Sequence, residues 1–520
     1  MKYDVIVIGS GIGGLCIASL LAQEAKKKVL ILERHWQLGG FTHTFKRKRK
    51  YEWDVGVHYI GGVGEGEQLR RVYDKITLGK LKWQKMPNPY DVFDYPDMSF
   101  AVPDGAKPFM EKLVSTFPQE EKAIRKYFKD LKRAMKWYQL NEAIKGAPLP
   151  FKPFLKLMQG SSQFALQTLH QYLDNHFQDV KLKAILASQW GDYGLPPKLV
   201  PFVMHAILVL HYINGAYYPV GGAAKIAEYA LDPIHKAGGE ALTNAEVKEI
   251  LFDEKKKRAV GVRVYHTRKK EEEKFYAPLI ISNAGAYITY TQLIPNNMHP
   301  WQQAILDFVQ RNPTTGHISV YLGLKDSPEK LGIQGENHWI YQQYNHNEAF
   351  EKQKRWTGDT PPAVVYASFP SLKNPEAEAH TAELITFATW ETFEKWKDLP
   401  WRKRGSDYET LKEKMTKQMV QVVDRKFPGF SKLIDYQETS TPLSTHTMTA
   451  HYKGTIYGLP AVPERFDLSK SPWCAPKTPF KGLYLTGTDV AGLGVSGALM
   501  GGVETAIALL GPRPSLLRLL

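Results

Sequence analysis

Residues 3–33 read "YDVIVIGSGIGGLCIASLLAQEAKKKVLILE". Val5 to Ile8 form an unbroken apolar run, which predicts a strand buried on both faces. Gly9, Gly11 and Gly14 follow as G-x-G-x-x-G, then a helical pattern, then a second strand that ends on Glu33. Two strands, the glycines and an acid about twenty residues on make the full dinucleotide fingerprint. The glycines permit a tight turn and close approach of a pyrophosphate, and the helix N-terminus faces its negative charge. Glu33 accepts ribose hydroxyls, which disfavours a 2′-phosphate there. Arg34, and Gly40 of the following Gly39-Gly40 pair, are assigned to the same site. A glycine-rich turn that binds nothing would leave Glu33 unexplained.

The chain has 520 residues, more than one typical core, so two domains are expected. Hydrophobic content of 43% and charged content of 23% fit a folded protein and exclude a disordered one. The two cysteines, Cys16 and Cys474, are far apart in sequence and outside any metal-ligand pattern. They fit a reducing, cytoplasmic compartment. The formal net charge of +15 suits an anionic cofactor or lipid surface. The basic residues are dispersed and no nucleic-acid-binding signature is present, so nucleic acid is not expected as a partner. The first residues do not read as a cleavable signal, because their apolar part is short and broken by glycine. The longest apolar run, residues 199–213, falls short of a roughly 20-residue span and carries His205 and His211. It reads as a buried helix.

A second glycine motif, "GLGVSG" with Gly492, Gly494 and Gly497, lies near the C-terminus. No strand ending in an acid follows it, so it is not a second nucleotide site. It follows a strand, "KGLYLTGTD", ending on Asp489, and leads into the helical "GALMGGVETAIALL". Strand, Gly-x-Asp and helix N-terminus are how two-part flavin folds complete an FAD site. The acid meets the ribityl or pyrophosphate region and the helix end faces the flavin carbonyl. Between the ends, residues 217–253 read as a Gly-Gly turn, an amphipathic helix, another Gly-Gly turn and a strand carrying Val247, assigned to the cofactor. The fold class is therefore α/β: a discontinuous FAD-binding Rossmann-like domain of the two-part, GR2 type with an inserted α+β substrate domain. The cofactor domain takes residues 1–75, 215–290 and 475–520. The substrate or lid domain takes 107–215 and 300–470.

Within the insertion, Pro118 suits a first helical turn, and Ile124, Phe128, Leu131, Met135 and Tyr138 recur at helix spacing. "HISVYLGL", "AVVYASFP" and "ELITFATW" alternate and predict antiparallel strands. A long polar-faced helix is expected over residues 394–429. "SQWGDYGLP" and "HAILVLHYINGAYYP" are rich in aromatics, as an apolar tunnel above a flavin would be; buried structural aromatics are the other explanation. "APLPFKPFLKLMQG", residues 147–160, sets Phe151, Phe154, Leu155 and Leu157 beside Lys152 and Lys156. Its prolines argue against a regular helix before Phe154, and its composition suits peripheral association with a membrane surface.

The chain resembles the retinol saturase branch (all-trans-retinol 13,14-reductase-like) of the carotenoid desaturase and isomerase family, nearly end to end. The resemblance rests on "VIGSGIGGL", "LERHWQLGGFTHTF", "WDVGVHYIGG", "FPQEE", "MHAILVLHYINGAYYPVGG", "IISNAG", "KRGSDYE" and "GLYLTGTDV". "VGVHYIGG", "HYINGAYYPVGG" and "KRGSDYE" are the branch-specific ones. It implies a two-domain FAD fold and redox or isomerising chemistry on conjugated polyenes. In such a fold the segment "YEWDVGVHYIGG", residues 51–62, runs back past the flavin. Strand alternation would put Trp53, Val55 and Val57 on one face and Asp54, Gly56 and His58 on the other. His58 and Tyr59 are then the candidate catalytic residues, a hydrogen-bonded core histidine being the plain alternative.

The leading reading is an FAD-dependent oxidoreductase that saturates one double bond of a retinoid- or carotenoid-like polyene or related unsaturated lipid. NAD(P)H or a separate redox partner is left as electron donor. Two alternatives stand beside it: a cis–trans isomerase or desaturase using the same flavin, and a non-catalytic carrier of prenylated proteins with the same fold.

Overall fold

The structure, a computed structural model, describes residues 2–146 and 149–520. Val5–Ile8 and Val29–Leu32 are short strands with every residue buried. They form the middle of a five-stranded parallel sheet ordered Leu483–Leu485, Leu279–Ser282, Val5–Ile8, Val29–Leu32, Glu240–Leu242. Three distant stretches of chain thus build one sheet. The helix Ile12–Ala25 crosses the C-terminal helix Gly494–Leu510 closely: a Cβ on Gly502 would fall 2.5 Å from the Cβ of Cys16. An antiparallel sheet of Ala245–Phe252, Ala259–His266 and Glu271–Tyr276 flanks this unit.

A seven-stranded sheet forms the other half. Its order is Ile434–Ser440, Gly316–Leu324, Thr381–Ala388, Val364–Ser368, Asn337–Tyr341, Asp91–Tyr95, Met98–Val102. All pairs are antiparallel except Asn337–Tyr341 with Asp91–Tyr95. The last two strands come from a hairpin outside both sequence-derived substrate segments. The alternation expected of half-buried strands is replaced by burial along the whole of Gly316–Leu324 and Val364–Ser368. Both faces are covered. Ile318, Val320 and Leu322 pack with Met415, Met419 and Val422 of the helix Ser406–Lys426, while His317 and Tyr321 line an internal cavity. The long helix begins at Ser406, since residues 390–396 form short 3₁₀ turns.

The helix Glu121–Gly146 follows a 3₁₀ turn opened by Pro118 and buries Ile124, Phe128 and Leu131. Phe202–His211 is the buried helix expected from its apolar run. Ala147 and Pro148 of the 147–160 segment lie outside the described residues. The helix there starts at Lys152, earlier than expected, because Pro153 sits in its first turn, where no backbone N–H is needed.

The strand expected over residues 51–62 is corrected. The strand through "YEWDVGVHYIGG" covers only Tyr51–Asp54, paired with Thr44–Arg47. Beyond it the chain turns, so the alternation does not extend to Val55, Val57 and His58. Two contacts account for the break. Asp54 accepts bonds from the Ala223 N–H (3.1 Å) and the Tyr218 hydroxyl. The Gly56 backbone then abuts Phe41, with a Cβ at Gly56 falling 3.0 Å from that of Phe41. Trp53 donates to the Leu322 carbonyl at 3.1 Å and fixes the strand to the large sheet.

Asp54→Ala would leave the Tyr218 hydroxyl and the Ala223 N–H without their acceptor. The expected cost is about 1–3 kcal/mol, read as a lower denaturant midpoint. Combining it with Tyr218→Phe should cost less than the sum of the single changes. An unchanged midpoint in Asp54→Ala would remove this carboxyl from the account of the fold.

Candidate active site

A cavity of about 1170 Å³ runs along the junction of the two halves, from the carboxyl ends of the parallel strands to the inner face of the large sheet. At its nucleotide end the chain leaves Val5–Ile8 through Gly9 (φ +91°) and enters a helix at Ile12. Gly9, Gly11, Ile12 and Gly13 line the wall. The first N–H groups of a helix have no partner within it and suit a pyrophosphate. Glu33 is buried; its Oε2 accepts the Ser10 N–H (2.9 Å) and hydroxyl (2.7 Å), and its Oε1 accepts the His35 N–H (2.8 Å). These bonds orient the carboxylate on the cavity wall. Arg34 lies 3.4 Å from Glu246, and its Nη1 is buried without a hydrogen-bond partner among the described residues. Val247 and Gly40 complete this end. A Cβ on Gly40 would fall 2.9 Å from the Cα of Gly11, so the second Gly-Gly turn packs on the first.

Asp489 is buried. It accepts the Leu459 N–H at 2.9 Å and the Ala286 N–H at 2.8 Å, with Arg465 at 3.6 Å. Its own chain thus saturates much of the carboxylate and uses it to hold the loop. Helix Gly494–Leu510 opens beside it, with Gly494, Val495 and Ala498 on the wall. The Thr486 hydroxyl, also on the wall, is buried without a partner among the described residues. Gly14 and Gly497 are not wall residues. Gly14 lets the first helix approach the Gly9 carbonyl, and Gly497 lets the last helix approach the Gly492 backbone. Asn283, missed as a site residue by the sequence reading, stands between the N-terminal turn and Gly487 and lines the cavity. The glycine cradle, two helix N-termini and the orphaned Arg34 and Thr486 atoms fit FAD. Glu33, Arg34 and Val247 would hold its adenosine part, residues 9–13 its pyrophosphate, and the Asp489 loop with Gly494 the remainder.

The other end is aromatic. Trp339, Tyr366 and Phe387 line it, with His317, His58 and Asp192. Gly191 brings its backbone against the Trp339 indole, leaving 2.5 Å for a Cβ. His58 Nδ1 lies 2.7 Å from Glu383 Oε2, although the two are not aligned as a hydrogen bond. Burial, then Lys373, pushes His58 down to about 4, so the ring is neutral. Burial pushes Glu383 up to about 8 and Lys373 down to about 8. Lys373 donates to the His58 carbonyl (2.9 Å), the Ser368 hydroxyl (2.7 Å) and Asn337. Tyr59 does not line the cavity. Its hydroxyl reaches Asp192 Oδ2 (2.8 Å) and Asp91 Oδ2 (3.1 Å), and its ring stacks on Tyr212 at 4.4 Å. Glu383, a lone acid opening "ELITFATW", and Asp192 in "SQWGDYGLP" were the signals available for this group.

A family model described as an NAD(P)-binding Rossmann-like domain matches residues 7–76. The chain is 35% identical over 527 residues to the all-trans-retinol 13,14-reductase of Danio rerio, covering 98% of this chain and 86% of that one. It is 34% identical over 544 residues to the Homo sapiens protein of the same name, with the same coverage. The chloroplastic prolycopene isomerase of Arabidopsis thaliana is 27% identical over 473 residues, covering 88% and 74%. Among solved structures, putrescine oxidase bound to putrescine superposes with a TM-score of 0.61 at 15% identity, covering 98% and 99%. An oxidoreductase from Methanosarcina mazei gives 0.60 at 16%, covering 96% and 98%. At such identities the structures establish the fold alone.

The purified protein should be yellow. Glu33→Ala should weaken FAD by about 1–3 kcal/mol, roughly 5- to 150-fold in Kd. Gly11→Val should abolish binding, since its side chain would enter the cradle 2.9 Å from Asn283 Nδ2. Flavin content equal to the parent in both variants would overturn the assignment of this end.

Proposed function

The chain belongs to the all-trans-retinol 13,14-reductase family, and on that footing we propose that it saturates one double bond of a retinoid- or carotenoid-like conjugated polyene. It is an FAD-dependent oxidoreductase acting on carbon–carbon double bonds. The observation that carries the polyene reading is the continuity of one cavity from Glu33 to Tyr366. Its volume of about 1170 Å³ exceeds the roughly 300–1,000 Å³ of single small-molecule sites. Room for a dinucleotide and for a long apolar molecule against aromatic walls supports two occupants side by side. Residues 1–75, 215–290 and 475–520 hold the cofactor in this reading, and 107–215 with 300–470 hold the substrate.

When bound in its reduced form, FAD would supply a hydride for one carbon of the double bond. The chain orients the polyene and excludes water. His58 sits where the two halves of the cavity meet: Gly56 before it abuts Phe41 of the second glycine turn, and its ring lies 5.6 Å from Tyr366. As a neutral ring it positions the substrate, while Tyr59 acts through the two carboxyl groups it holds. The electrons come from NAD(P)H or from a redox partner.

We further propose that the protein meets its substrate at a lipid surface. Phe151, Phe154, Leu157 and Met158 are 61, 62, 81 and 54% exposed, beside Lys152 and Lys156. Apolar side chains next to lysines suit an anionic interface, each lysine contributing about 1 kcal/mol there. No helix among the described residues is long and apolar enough to cross a membrane.

Anaerobic incubation of the reduced protein with a panel of polyenes should yield products heavier by two hydrogens. Loss of two hydrogens, or unchanged mass with altered retention, would replace saturation by desaturation or isomerisation. His58→Phe should retain flavin and lower kcat by about 10²-fold, the cost of a misplaced substrate; parent-like turnover would leave His58 a structural residue.

On vesicles, the parent should co-sediment with anionic lipid, less so at high salt. Phe151→Ser/Phe154→Ser should lose binding while keeping its flavin. Equal binding by both proteins would place the contact elsewhere, and no binding by the parent would end the surface proposal.

A further inference from the structure

We propose that Asp192 is the acid that protonates the substrate carbon next to the one receiving hydride, with Tyr59 and Asp91 behind it as positioning residues. The assignment rests on the polyene-reducing reading above.

Asp192 lines the aromatic end of the cavity together with His58, Trp339 and Tyr366. The Tyr59 hydroxyl lies 2.8 Å from its Oδ2 and 3.1 Å from Asp91 Oδ2. One hydroxyl proton cannot serve two anions fully, and two carboxyl groups sharing a buried site do not both ionise at neutral pH. The pair is unequal. Asp91 also accepts the Asn337 amide (3.0 Å) and the Gln189 amide (2.9 Å), and Asn337 in turn is held by Lys373. Asp192 has Tyr59 alone among the described residues. Hydrogen bonds favour the charged form, so Asp91 keeps the charge and Asp192 keeps the proton.

Burial raises Asp91 as well, but its bonds from Asn337, Gln189 and Tyr59 and the charge of Lys373 oppose that rise. Burial, then Asp91, pushes Asp192 up to about 8. Tyr59, Tyr90, Tyr193, Tyr212, Tyr341, Tyr366 and Tyr457 are all raised by burial and stay neutral. Lys373, the cation behind Asn337, is engaged by the His58 carbonyl and Ser368. His58, pushed down to about 4, is a neutral imidazole at neutral pH, and its remaining N–H is too weak an acid for this role. Asp192 is therefore a neutral carboxylic acid facing an apolar chamber, poised near working pH as general acids are.

In the step, one carbon of the double bond takes a hydride, with its two electrons, from the reduced cofactor. The π pair forms a C–H bond at the neighbouring carbon with the Asp192 proton, the carboxyl O–H bond breaks, and Asp192 is left as carboxylate. It regains a proton from solvent when product leaves. The acid must be protonated to act, so turnover falls as pH rises through about 8.

The test uses the flavin-loaded protein and two isosteric variants, Asp192→Asn and Asp91→Asn. Infrared difference spectra without substrate should show a protonated-carboxyl band in the parent that Asp192→Asn lacks. Asp192→Asn should lower kcat by about 10²–10⁴-fold, leave KM within a few-fold and lose the alkaline limb. Asp91→Asn, which removes the neighbouring charge, should move that limb and the titration of the band to lower pH. An unchanged band in Asp192→Asn, or parent-like kcat with an unchanged pH profile, would overturn the assignment. So would lost turnover with the band intact, which would mark a structural role. If the parent reduces no polyene although the band is lost in Asp192→Asn, the reaction itself is overturned and the proton step falls with it. Asp192 would then be a neutral wall group.

Discussion

The side chain of Asn283 occupies the space that a Cβ on Gly11, Gly13, Gly14 or Gly487 would need. Its backbone N–H binds the Ile8 carbonyl at 2.8 Å, at the end of the first strand. One amide thus joins the N-terminal turn, the Leu279–Ser282 strand and the C-terminal turn, although these lie hundreds of residues apart in the chain. Such close backbone approach admits only glycine at the facing positions. Helices Ile12–Ala25 and Gly494–Leu510 consequently start at the same edge of the sheet. Their N-termini open onto one cavity, and the large insertion can cover it without disturbing the sheet.

Burial of charge is the second constraint. Asp54, Asp91, Asp192 and Glu383 all lie near the junction, with Lys373 as the cation interacting with three of them. Desolvation makes several bare carboxylates untenable, so protons replace charge at Asp192 and Glu383, while Asp91, with two amide donors, keeps its charge. Asp54 is pushed up to about 7, chiefly by burial and then by Glu383. The wall behind the aromatic end therefore carries less charge than its acidic residues alone would give, and it still supplies hydrogen-bond donors.

The nucleotide half was legible because its constraints are local. Four-residue apolar strands, glycines at fixed offsets and an acid at the strand end each have one economical explanation, and Glu33 and Asp489 stand where those rules put them. The aromatic half was less legible because it depends on contacts between distant segments. Nothing near Tyr59 announces that its hydroxyl meets Asp192 and Asp91, 133 and 32 residues away. The full burial of Gly316–Leu324 was equally hidden: alternation marks two chemically different faces, and here one packs on a helix while the other lines a chamber. The hairpin at residues 91–102 was missed because its partner, Asn337–Tyr341, is far along the chain.

The unpartnered polar atoms of the wall bear on the choice between a carrier and an enzyme. A carrier of prenyl groups needs an apolar groove, and polar atoms buried there without partners would each cost about 1–3 kcal/mol. Among the described residues, Arg34 Nη1 and Thr486 Oγ1 are in that state at the nucleotide end, and Trp339 Nε1, Tyr366 Oη and His317 Nδ1 at the aromatic end. Native proteins keep such groups where a ligand or ordered water completes them. At both ends of one chamber they leave places for the polar groups of a bound molecule, which a purely apolar groove does not need.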